Sequence, residues 1–138
     1  MKTTKIILIF FNFLFLVSAC AGFSPSDETN LTDEIWELTN LNGTDPIENH
    51  KPTIQFEAGQ VSGNASCNHY GGGYQIKGET ISFEALYSTE MACLDPIGVM
   101  EQEQIYLELL RAATHFKLVD GSLTIFTESG QLLIFEIQ

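Results

Sequence analysis

Gly63-Asn-Ala-Ser-Cys-Asn-His-Tyr-Gly-Gly-Gly-Tyr74 is the stretch on which the fold turns. Three consecutive glycines lose more backbone entropy on ordering than any other tripeptide. Keeping them implies positive φ, or a close backbone approach that a Cβ would block. A second landmark, Ser88-Thr-Glu-Met-Ala-Cys93, carries the other cysteine of the folded part. The fold is expected to bring the two stretches together.

Working outward, Ile35–Leu41 alternates apolar and polar residues and reads as a first strand. Asn42-Gly43 and Asp45-Pro46 form a loop. Thr53–Glu57 alternates with Ile54 and Phe56 inward, and Ala58-Gly59 turns the chain back into Gln60–Ser62. Beyond the glycines, Gly73–Lys77 and Thr80–Phe83 are strands joined at Gly78-Glu79. Tyr74 and Ile76 share a face, and Ile81 and Phe83 point inward. Phe116–Val119, Ser122–Phe126 and Leu132–Ile137 close the chain, with Asp120-Gly121 and Ser129-Gly130 as hairpin turns.

One helix is expected, from Pro96 to about Thr114, with Asp95 as its N-cap. Ile97, Met100, Gln104, Leu107 and Leu110 mark an inward stripe, broadened by Ile105, Leu109 and Ala112. Glu101, Glu103 and Glu108 are left for water. The sum is an α+β domain: a mostly antiparallel curled sheet or small barrel of about eight strands, with one helix packed on it.

The first nineteen residues read as an address. Lys2 and Lys5 precede an apolar run, Ile6–Val17, which is too short for a comfortable membrane span. Val17-Ser18-Ala19-Cys20 follows, and Cys20 resembles the lipidated cysteine of a bacterial lipobox. The resemblance implies cleavage before Cys20, acylation of that cysteine, and a place in the cell envelope. Ala21, not Asp, follows the cysteine, which favours the outer membrane where a cell has one. Residues 20–33 read as the lipidated cysteine and a polar tether, leaving 34–138 as a single domain.

Without Lys2 and Lys5 the chain keeps Lys51, Lys77, Arg111 and Lys117 against eighteen carboxylates, a net charge of −14. Such a balance argues against nucleic acid and against anionic headgroups as partners. The acidic residues are scattered, as suits solubility.

Trp36-x-Leu38, Phe56, the Gly63–Tyr74 stretch, Ile81-x-Phe83, Thr89-x-Met91-Ala92-Cys93 and Leu123-x-Ile125 together resemble the META domain family of HslJ-like heat-shock lipoproteins. The resemblance runs from about Glu34 to Gln138. It implies a compact, mostly antiparallel β domain with a helix, an envelope setting, heat-induced expression and altered tolerance of the antibiotic novobiocin. It implies no enzymatic activity and no cofactor. Ser66 stands where the family usually has glycine.

In an exported domain thiols tend to pair. With Cys20 committed to lipid, Cys67 and Cys93 are expected to form a disulfide closing a loop of about 26 residues. The alternative is two buried thiols packed as small apolar groups. A thiol-dependent enzyme or redox protein using Cys67 with His69 is the rival function, although no residue is spaced to orient His69. Cys67, His69 and Cys93 are zinc-ligand types without zinc-site spacing, so no metal is expected. The glycine run lacks the helix start and lysine of a phosphate loop. Asn68, His69, Tyr70, Gly71, Gly72, Gly73 and Tyr74 form the candidate binding surface, for an envelope protein or a small molecule. Packing is the competing use of its tyrosines.

Overall fold

The computed structural model describes residues 31–138. The signal-peptide reading, Cys20 and the tether as far as residue 30 lie outside the described residues.

Eight antiparallel strands follow one another around a closed barrel: β1 (Ile35–Leu41), β2 (Thr53–Glu57), β3 (Gln60–Asn64), β4 (His69–Lys77), β5 (Thr80–Ser88), β6 (Ala113–Val119), β7 (Ser122–Thr127) and β8 (Leu132–Ile137). Helix α1 (Val99–Arg111) lies between β5 and β6. Turns of two to four residues join five of the seven sequential pairs, the longer connections being β1 to β2 and β5 to β6, and closure pairs β1 with β8, so no long edge is left between first and last strands. The weakest join is between β5 and β6, where Thr80 opposite His115 is the one paired register.

Alternation fills the barrel. Trp36, Leu38, Ile54, Phe56, Leu123, Ile125, Leu133 and Phe135 are almost wholly buried. The core extends beyond the expected boundary: Leu31 is fully buried, and its carbonyl accepts a 3.1 Å hydrogen bond from Trp36 Nε1. Thr32 bridges to Phe56. Residues 31–33, assigned to the tether by their polarity, therefore belong to the folded body, with Leu31 as an apolar plug.

The glycine stretch corrects one strand boundary. β4 begins at His69, four residues earlier than alternation suggested, because Gly71, Gly72 and Gly73 all lie within it. None of the three has positive φ. The close-approach alternative is the one realised. A Cβ on Gly72 would stand 2.7 Å from Leu86 Cδ2 and 2.8 Å from the Glu84 carbonyl oxygen. One on Gly71 would meet the Tyr87 hydroxyl at 2.6 Å. The ladder slips between Gly71 and Gly73, where the β5 side carries an extra residue and Ala85 takes φ 49°.

The helix also departs from expectation. It starts at Val99 with Gly98, φ 92°, at the N-cap, so Pro96 and Asp95 lie outside it. Its buried face is Val99, Gln102, Glu103, Tyr106, Leu107, Leu109 and Leu110. Ile97, Met100 and Ile105 are exposed. Anchoring the helical count at Ile97 misplaced the first two turns and sent Glu103 to water. In the structure Glu103 is buried.

Candidate functional site

Asn68 joins the two cysteine stretches. It is buried, in the bend before β4, and its side-chain amide uses every hydrogen-bonding position it has. Oδ1 accepts from the Met91 backbone N–H at 2.7 Å and from the Thr89 hydroxyl at 2.8 Å. Nδ2 donates to the Met91 carbonyl at 3.1 Å and to Glu103 Oε1 at 2.7 Å. One asparagine thus pairs with Met91 as a neighbouring strand would, beyond the point where β5 ends. This accounts for the joint spacing of Cys67-Asn68 and Thr89-x-Met91: each half supplies what the other lacks.

Glu103 completes the arrangement from the helix. Its Oε2 accepts the backbone N–H groups of Cys67 at 3.1 Å and Asn68 at 2.7 Å. The bend at Cys67 would otherwise bury two orphan donors, each costing about 1–3 kcal/mol. Beside it, Gln102 accepts from Ile47 N–H at 2.7 Å and donates to the His50 carbonyl and to Ser66 Oγ, at 2.9 and 2.8 Å. Ser66 has φ 129°, a region that favours glycine. The Gln102 hydrogen bond gives its side chain a use there. Sequence reasoning missed Glu103 and Gln102. The signal was present: counting from Val99, the series Val99, Gln102/Glu103, Tyr106, Leu110 keeps helical spacing and places two polar residues on an otherwise apolar face.

Cys67 and Cys93 are joined by a disulfide, with Cα atoms 5.9 Å apart. Together with Asn68 it ties the segment after β5 to the start of β4. The Cys93 N–H lies 3.4 Å from Met100 Sδ, which closes the segment on the helix. The pairing of Cys67 with His69 for thiol chemistry is not assembled. The Cys67 sulfur is bonded to Cys93, Cys67 sits in the bend and not on the strand, and His69 faces solvent. Among the described residues, no three His, Cys, Asp or Glu side chains cluster as a metal set.

The candidate binding surface is largely interior. Asn68, Tyr70, Gly71, Gly72 and Tyr74 are buried and Gly73 is half-buried, leaving His69 exposed. A closed barrel explains this: neighbouring strands cover the β4 backbone, and alternation turns Tyr70 and Tyr74 inward. The Tyr70 hydroxyl donates to the Thr53 carbonyl at 3.0 Å and lies 2.7 Å from the Tyr106 hydroxyl. Burial holds both phenols above their ordinary pKa. Packing, the competing use of these tyrosines, is the one observed.

What the same corner does expose is apolar. The segment Met91–Met100 carries Leu94 at 88% and Ile97 at 95% exposure, with Met91 and Met100 also open. Glu90, Asp95 and Glu101 lie beside them in the sequence, all exposed.

An eight-stranded barrel with one helix and a disulfide-braced apolar loop defines a class of small β-barrel domain with a single built corner. The chain belongs to the META domain family, whose model matches residues 29–138. No curated protein matches it. Among solved structures, one determined by NMR is 24% identical with a TM-score of 0.66, covering 80% of this chain and 93% of its own. An NMR structure of a protein from Burkholderia xenovorans is 22% identical with a TM-score of 0.64, covering 100% and 98%. A duf4847 family protein from Bacteroides vulgatus is 15% identical with a TM-score of 0.59, covering 79% and 95%. At these identities the likeness is one of fold.

Proposed function

We propose that this chain is a lipid-anchored, non-enzymatic domain of the bacterial envelope that acts by binding, and that its binding element is the Met91–Met100 loop, which ends on the first two residues of α1. One observation carries the reading: the loop's base is hydrogen-bonded through both Met91 backbone groups and cross-linked at Cys93, while its crest holds Leu94 and Ile97 bare to water. Bracing a loop in advance lowers the ordering cost of association. Exposed apolar side chains beside exposed carboxylates suit recognition of a surface, not catalysis. The N-terminal run and Cys20, read as an export signal and a lipid attachment point, support a place at a membrane, and the family resemblance supports a role in envelope stress and antibiotic tolerance.

The test compares three strains: a gene deletion, a chain with Cys20→Ser, and a chain with Leu94→Asp and Ile97→Asp. All three are expected to shift tolerance of envelope-directed antibiotics in the same direction. A double-aspartate chain that behaves as wild type, in a background where the deletion does not, overturns the loop's role. An unlipidated but fully active Cys20→Ser chain overturns the anchor.

A further inference from the structure

We infer that the partner of the Met91–Met100 loop is a second copy of this chain, which receives the loop in the seam between β5 and β6. This rests on the reading of the loop as the binding element and names what it binds.

The loop offers Leu94 and Ile97 with Glu90, Asp95 and Glu101 beside them in the sequence, and no Lys or Arg lies between Glu90 and Leu110. Its receptor must be a small apolar recess edged by cations. The chain carries one. Two hollows adjoin the seam at Thr80 and His115. One, about 370 Å³, is mixed: Ile76, Ile81 and Ala113 line it together with Lys77 and four uncharged polar residues. The other, about 240 Å³, is lined by Glu79, His115, Phe116, Lys117 and Phe126. Lys117 Nζ stands over the Phe126 ring at 5.9 Å. Lys77 and Lys117 are exposed, and so is Arg111, at the helix end that leads into β6. Among the described residues the ion pairs found are those of Lys51, so the seam's three cations are free to meet carboxylates from outside.

Loop and seam sit at opposite ends of the molecule. β4 runs from His69, beside the loop's base, to Lys77 at the seam, and nine strand residues span about 30 Å. The helix covers a similar path from Val99 to Arg111, about 20 Å. The loop cannot reach its own seam, so the contact is between copies. Such a contact closes at two copies when it is reciprocal, each loop in the other's seam, and otherwise repeats from copy to copy. The overall acidity does not forbid it. Screening at physiological ionic strength acts over about 8 Å, so the charges at the contact outweigh those elsewhere. A bilayer is the poorer occupant, because its phosphates would face the loop's carboxylates.

The test uses the full chain in its host membrane, with a photo-reactive side chain in place of Met91. The expected result is adducts at twice the chain mass or at higher multiples, attached to the Ile76–Ile81 or Ala113–Lys117 segments. A loop variant, Leu94→Asp with Ile97→Asp, and a seam variant, Lys77→Glu with Lys117→Glu, each give about tenfold less adduct alone. All four side chains are exposed, so both variants are expected to fold, which circular dichroism checks. The decisive sample mixes a tagged loop variant with a seam variant that carries the probe. Together they hold one intact loop and one intact seam, and their adducts stop at two copies. Adducts to a different protein alone overturn this inference and leave the binding role of the loop standing. Loop-to-loop attachment overturns the seam as receptor. Adducts to lipid alone, or none, overturn both readings.

Discussion

At its base the Met91–Met100 segment is held by an asparagine amide with four hydrogen bonds, a buried carboxylate and a disulfide. A few residues further on, its crest carries two large aliphatic side chains with almost no protein contact. The base resembles a protein interior; the crest resembles half of an interface. The difference teaches where stability and recognition reside. Changes at the base should alter folding, and changes at the crest should alter association alone.

The sharpest way to break that division is Glu103→Leu. It strips the acceptor from two backbone N–H groups and from Asn68 Nδ2, all buried. A loss of about 4 kcal/mol in chemical denaturation is expected, since each orphaned donor costs about 1–3 kcal/mol. Glu103→Gln should recover only part, because its amide nitrogen would oppose a donor. Reduction of Cys67–Cys93 comes next. For a separation of 26 residues, chain entropy alone assigns it about 3.5 kcal/mol, read by denaturation with and without reductant.

The glycines sharpen the comparison within the barrel wall. Gly72→Ala must displace both Leu86 and the Glu84 carbonyl and should cost about 1–3 kcal/mol, whereas Gly73→Ala meets nothing closer than 3.8 Å and should cost less. Thermal unfolding of the two variants gives the order directly.

A pH series addresses the buried phenols. Burial raises the Tyr106 pKa, and burial followed by the neighbouring Tyr106 raises that of Tyr70, so the unfolded chain releases these protons first. Their stabilising contribution is complete below the usual phenol value of about 10 and falls as pH rises above it. Tyr106→Phe should flatten that alkaline decline in unfolding curves taken on either side of pH 10. Smallest of all should be Leu94→Asp with Ile97→Asp, within about 0.5 kcal/mol of wild type. A larger loss would mean that the crest is packed after all.

Much of the fold was legible because alternation and turn chemistry are local. Ile54 with Phe56, Leu123 with Ile125, and the Asp120-Gly121 turn each announce their place within a few residues. The corner was legible in part. Cysteine arithmetic and export chemistry pointed to Cys67 with Cys93, and the structure joins them. The surface assigned to residues 68–74 turned out to be mostly interior, because a polar or glycine-rich string reads alike whether it faces water or a neighbouring strand. Glu103 was sent to water by a helix count begun two residues early.

By itself the sequence determined an antiparallel β scaffold with one helix, since hydrophobic periods of 2 and 3.6 are properties of the chain alone. Only the tertiary structure decided which polar residues face inward. A buried carboxylate needs hydrogen-bond donors or an opposite charge around it, and Glu103 finds its donors on a distant part of the chain. The convergence of Cys67 and Asn68 on Glu103, 36 and 35 residues away, exists only once the barrel has closed.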